Sequence, residues 1–265
     1  MILRPFPFFS GALSQRKVCY VLLPDDYETE TEKRYPTVYV LHGMYGSETD
    51  WLHLGGAKET IEKMRKEGSL RDAIVVFPSD GGLGDGTFYL DWYDGSGRFE
   101  QYFLYDLVCG VDRSFRTIRD KWSRALVGLS MGGYGAFMLS LRHPDLFGVG
   151  ASLSGAFGDL EGYMQQHAAA RLRGPKGGPY AKQYDVMELA SSRIDDPHRP
   201  YLYMDCGRDD ALAYPHNVRL HEHLTSIGYT HVYQEFAGGH TWEYWTEHLP
   251  DALRFVEQCF RNAQH

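Results

Sequence analysis

The chain has little of what would tie it to a membrane, a nucleic acid or a metal ion. Nowhere in its 265 residues is there an apolar run of about 18, so no transmembrane helix is expected. Positive charge is not in excess. The 27 Lys and Arg stand against 35 Asp and Glu, for a formal net charge of −8, and there is no global pull toward nucleic acid or an anionic lipid surface. Cysteine is sparse, with Cys19, Cys109, Cys206 and Cys259 far apart and no C-x-x-C pair. That spacing excludes a zinc ribbon or a dithiol redox motif. In a chain of this size it reads as reduced thiols in a cytoplasmic compartment. The opening "MILRPFPFFSGALSQRK" is interrupted by Pro5 and Pro7 and lacks the long apolar core and cleavage site of a secretion signal. His221 and His223 fall at i, i+2 on a predicted helix, so they point different ways and read as surface residues rather than metal ligands.

What is present is an ordinary globular composition, 43% hydrophobic and 23% charged, long enough to bury a sizeable core without disulfide staples. Short apolar runs alternate with helical patterns. "KVCYVLLP", "PTVYVLHG", "DAIVVFPS", "RALVGLS", "FGVGASLSG", "RPYLYMDCG" and "HVYQEF" read as strands. Residues 57–68, 99–111, 131–144, 215–228 and 243–260 read as helices, several closed by glycine or proline. This order predicts an α/β fold with a mostly parallel central sheet and helices on both faces. With no repeat and no long linker, residues 1–265 are expected to form a single domain. The less regular residues 158–198 are a candidate lid insertion.

One stretch carries the chemistry: "RALVGLSMGGYGAF", Arg124 to Phe137. A dinucleotide fingerprint needs a third glycine, but Met138 occupies that position. A Walker loop needs a lysine that is missing here. G-x-S-x-G fits Gly128 to Gly132 in the required strand–turn–helix setting. Such a turn lifts the Ser130 hydroxyl out of the sheet and sets it at a helix N-terminus, where developing negative charge is favoured. A serine hydroxyl needs a base and a group that orients the base. In this motif's setting the chain order is serine, acid, histidine. "MDCGRDDAL" offers Asp205, Asp209 and Asp210, and "EFAGGHTWEYW" offers His240, both after strands. His42 precedes Ser130 and is a poor base, but the backbone N–H groups of "LHGMYG" could build an oxyanion hole.

With those residues assembled, the chain resembles the esterase D-type branch of the α/β-hydrolases from about Lys17 onward. The resemblance rests on "LHGMYGSETDW", "FYLDWYDG", "GLSMGGYGAF", "RHPDLFGVGASLSGAF", "CGRDDAL" and "GGHTWEYW". It implies the α/β-hydrolase fold and a serine carboxylesterase acting on small-molecule esters, short-chain or carbohydrate-linked, with no metal or organic cofactor. It assigns Ser130 as nucleophile, His240 as base and, through the family's G-x-x-D pattern, Asp210 as the acid. It also implies Met44 and Met131 as backbone oxyanion donors. The acyl pocket is expected from Tyr89–Tyr93, the 156–198 insertion and Trp242, with Trp92 a further candidate contact to substrate. Rival readings are an S-formylglutathione hydrolase-like thioesterase, an acyltransferase, and a catalytically silent binding protein on the same fold. Neither a nucleic-acid nor a membrane partner is expected, and homo-oligomerisation stays open.

Overall fold

Alternation within the apolar strands decides the layering. Val38 and Val40 pack on one face of the sheet while Tyr39 and Leu41 pack on the other, although all four are buried. A strand covered on both faces needs apolar residues at every position, and that requires helices on both sides. The computed structural model describes residues 1–82 and 84–262.

Eight strands form one sheet. They are β1 (Ile2–Ser10), β2 (Gln15–Leu23), β3 (Thr37–Leu41), β4 (Ile74–Pro78), β5 (Arg124–Leu129), β6 (Val149–Leu153), β7 (Tyr201–Gly207) and β8 (His231–Phe236). Their spatial order is β1-β2-β4-β3-β5-β6-β7-β8. The pairs β1–β2 and β2–β4 are antiparallel; every other pair is parallel. The mostly parallel α/β architecture expected from the sequence is therefore present. Helices α1 (Ala57–Lys66) and α4 (Trp242–Asn262) cover one face, and α2 (Met131–Arg142) and α3 (Tyr214–Ser226) cover the other. No described helix is long and apolar enough to cross a membrane.

From β3 the chain moves outward to β4, then returns to lay β5 on the opposite side of β3. That reversal opens a crevice at the carboxyl ends of β3 and β5, where open α/β sheets collect ligands. "HGM" leaves β3 and Ser130 leaves β5, so both segments singled out by motif reach one crevice.

Three features depart from the sequence reading. The first strand, β1, is absent from it, and Pro5 and Pro7 lie within that strand. An edge strand tolerates proline where its N–H would face outward, and the spacing of two puts both on one edge. The helix expected over 99–111 runs to Ser114, with a π-helical stretch at Tyr102–Val108. Residues 158–198 contain short helices at Gln166–Arg173, Pro179–Lys182 and Val186–Ser192.

Candidate active site

Ser130 stands between β5 and α2 with φ 52° and ψ −119°, a conformation L-residues avoid. The flanking glycines make room for that turn. A Cβ on Gly128 would overlap the Gly132 carbonyl, and one on Gly132 would stand 2.5 Å from the Leu41 oxygen and 2.6 Å from the His42 oxygen. The G-x-S-x-G spacing is thus a close-packing requirement between β3, β5 and the start of α2. Ser130 itself is 8% exposed.

The other two side chains come from the ends of β7 and β8. His240 Nε2 lies 2.9 Å from Ser130 Oγ, and His240 Nδ1 lies 2.7 Å from Asp210 Oδ2. The second oxygen of Asp210 accepts from Leu212 N at 3.1 Å and Ala213 N at 2.8 Å. Burial pushes the Asp210 carboxyl up, but its bonds to His240 and those two N–H groups outweigh burial and hold it below the usual range. A carboxylate accepts only, so His240 Nδ1 carries the proton and Nε2 is left to accept from the serine hydroxyl.

Of the three aspartates open in the sequence, Asp210 alone meets the histidine. Asp209 is exposed and works as a strut: its N–H donates to the Gly238 carbonyl at 3.0 Å, and its carboxylate accepts from Gly238 N at 3.2 Å. That reciprocal pair ties the acid loop to the histidine loop. Asp205 is buried and accepts from the Tyr244 hydroxyl at 2.9 Å.

His42 is buried and both its ring nitrogens are engaged by backbone. Nε2 accepts from Asp80 N at 3.0 Å, which leaves Nδ1 to donate to the Gly43 carbonyl at 2.8 Å. His42 therefore pins two loops and is not available as a base. The N–H groups of Met44 and Met131 have no backbone acceptor among the described residues.

Above Ser130 lies a cavity of about 410 Å³, lined by Met44, Tyr45, Phe88, Tyr163, Trp242 and Trp245 among others. Trp245 meets the His240 ring edge-on at 4.9 Å, and its indole N–H donates to Ser154 Oγ at 3.2 Å. Trp242 stands edge-on between Trp245 and Trp51. The expectation that Tyr89–Tyr93 lines this cavity needs correcting. Phe88 and Tyr89 both have positive φ, 55° and 59°, and the chain reverses there. Phe88 reaches the cavity, whereas Tyr89 turns inward to donate to the His42 carbonyl at 3.0 Å. Trp92 lines a separate cleft instead. Tyr163 comes from the 156–198 insertion, as expected, whereas Trp245 was missed by sequence reasoning. For Trp245 the signal was its place three residues after Trp242, on the same face of α4.

A serine, histidine and aspartate in hydrogen-bonded line at the carboxyl edge of such a sheet define a serine hydrolase of the α/β-hydrolase class. The chain belongs to the esterase family, whose model, described as "Putative esterase", matches residues 10–256, and it is a carboxylic ester hydrolase. It is 28% identical over 277 residues to an acetyl esterase of Caldicellulosiruptor saccharolyticus, covering 97% of this chain and 99% of the relative. Among solved structures, a ferulic acid esterase superposes with a TM-score of 0.86 at 26% identity, over 98% of each chain. An S-formylglutathione hydrolase from Staphylococcus aureus superposes with a TM-score of 0.80 at 21% identity, covering 96% of this chain and 98% of that one; this likeness is one of fold.

Proposed function

We propose that the protein is a serine carboxylesterase that cleaves short-chain or carbohydrate-linked acyl esters through an acyl-enzyme. The observation that carries the reading is the continuous hydrogen-bonded line Ser130–His240–Asp210. His240 takes the proton of Ser130 as the hydroxyl attacks the ester carbonyl. Asp210 keeps the imidazole in the tautomer with its proton on Nδ1 and stabilises the imidazolium that forms. The free N–H groups of Met44 and Met131 receive the developing oxyanion, each donor being worth roughly 10²–10³ in rate. His240 then protonates the leaving alcohol, and water attacks the acyl-enzyme with His240 again as base.

The acyl group is held by Trp242 and its aromatic neighbours. The modest cavity volume and the similarity to an acetyl esterase and a ferulic acid esterase favour a small or aromatic acyl group over a long lipid chain. Residues 1–265 act as a single domain, with residues 158–198 supplying Gly162 and Tyr163 to the cavity rim as a small lid. Four free cysteines, three of them buried, support a cytoplasmic setting.

The test is Ser130→Ala in purified protein with p-nitrophenyl acetate. Turnover should fall by roughly 10⁴–10⁶ with the fold intact, and a fluorophosphonate probe should label the wild type at Ser130 and leave the variant unlabelled. Undiminished turnover or persistent labelling would remove Ser130 as nucleophile.

A further inference from the structure

A second concavity, of about 590 Å³, has a character opposite to that of the catalytic cavity. Its walls come from the β1–β2 turn, the loop after β4 and the segment around Trp92 to Phe99. The catalytic cavity presents mostly methionine and aromatic side chains. This cleft presents Ser14, Gln15, Asp85 and Arg98, all exposed, and none of these four side chains has a hydrogen-bond or ion-pair partner among the described residues.

The frame that carries them is braced from within. In the turn, Ser10 Oγ donates to Asp106 at 2.6 Å, Ala12 N donates to the same carboxylate at 3.0 Å, and Leu13 N donates to Ser10 Oγ at 3.1 Å. In the loop, the Asp80 carboxylate accepts from Gly82 N and Thr87 N, each at 2.9 Å, and the buried Lys17 ammonium donates to the Gly81 carbonyl at 2.6 Å. Trp92 is held by its indole N–H, which donates to the Thr87 carbonyl at 3.3 Å. A cleft fixed by its own hydrogen bonds has little left to order when a ligand arrives, and the unpaired groups are free to bind it.

Charge and shape select among polar ligands. Asp85 and Arg98 are opposite in sign, and Arg171 is already paired with Asp94 at 2.7 Å. Donors and acceptors are both offered without a net field for an anion. Leu13 and the part of Trp92 left open beside the Arg171 guanidinium, which sits 5.2 Å from that ring's centroid, add apolar surface beside them, matching the C–H face of a sugar ring. We infer that this cleft binds a neutral saccharide, with Asp85, Arg98 and Gln15 reading its hydroxyl groups. At its back Gly86 packs directly against two methionines that line the catalytic cavity. A Cβ there would stand 2.8 Å from Met44 Cγ and 3.0 Å from Met131 Sδ, the two residues proposed as oxyanion donors. The binding itself does not rest on the esterase reading; only its purpose does, which is to hold the sugar part of a sugar ester.

The experiment is calorimetric titration of full-length Ser130→Ala protein with unesterified xylotetraose and cellotetraose. Saturable binding of at least one is expected. Arg98→Ala and Asp85→Ala, both exposed and unpaired, should each weaken it by about fivefold or more, the loss of one polar contact, with unchanged circular dichroism. The inference is overturned if neither sugar saturates. It is equally overturned if Trp242→Ala abolishes binding while the Arg98 and Asp85 variants retain it, or if inorganic phosphate displaces the sugar. No outcome involves turnover, so failure here is separate from failure of the esterase reading, which fluorophosphonate labelling of the wild type decides.

Discussion

Asp205→Asn should change how stability depends on pH. Asp205 lies on β7 beneath the start of α4, is wholly buried, and has one oxygen on Tyr244 and the other without a partner. Burial raises its carboxyl to about 7 from an ordinary 3.8, against the opposing hydrogen bond from Tyr244. Below pH 3.8 the group is neutral whether folded or unfolded and costs nothing. Between 3.8 and about 7 it ionises only on unfolding, so stability falls as pH rises through that window. Above about 7 it is charged in both states, and the accumulated cost is about 4 kcal/mol. Integrated from pH 5 to pH 8, the share lost is about 2.5 kcal/mol. An asparagine does not titrate and keeps the acceptor for Tyr244. Its amide N–H₂ would face the unpartnered side, at a cost of about 1–3 kcal/mol that is the same at both pH values. Urea unfolding of both proteins at pH 5 and pH 8 isolates the effect, because every other titrating group cancels in the difference. The variant should gain about 2.5 kcal/mol relative to wild type on going from pH 5 to pH 8. A difference that stays constant within about 0.5 kcal/mol would refute the reasoning and mean that Asp205 is solvated or otherwise paired.

Three further outcomes follow from the site. Asp210→Asn should lower kcat/KM by about 10³–10⁴ by losing the correct histidine tautomer, while Asp209→Asn should cost far less; the reverse order in ester hydrolysis assays would unseat Asp210. Gly132→Ala should cost about 3 kcal/mol or more, since the clash is with backbone oxygens that cannot swing aside, and a thermal melt unchanged from wild type would contradict the packing argument. Ser130→Gly should melt higher than Ser130→Ala, by a few degrees for about 1 kcal/mol of relieved backbone strain; equal melting temperatures would show that the positive φ stores no strain.

The strand–helix alternation was legible because buried parallel strands are near-continuous apolar runs, and β3 to β7 have that form; β8 instead alternates half-buried and exposed positions over most of its length. The first strand, β1, alternates exposed and half-buried residues around two prolines, a pattern that sequence reasoning takes for coil. Ser130 was legible through the spacing of Gly128, which must clear the Gly132 carbonyl within the turn, and Gly132, which must clear the carbonyl oxygens at the end of β3; His240 was legible through its place after the last strand. The acid was not settled by local spacing, because Asp205, Asp209 and Asp210 all follow the same strand. Only the side-chain direction at the end of β7 separates buried Asp205 and the Asp209 strut from the partner of His240. The cavity lining was least legible. It depends on where the chain reverses at Phe88 and Tyr89, two non-glycine residues at positive φ that no composition rule announces.

The two prolines of β1 have a further effect on the molecule's edges. A sheet with two open edges can pass strand pairing from copy to copy without end. Here the outer side of β1 lacks two N–H donors, while β8 at the opposite end contains no proline. Strand addition through this sheet is thereby confined to one side. Two copies meeting through β8 would close on each other about a twofold axis and leave nothing to propagate.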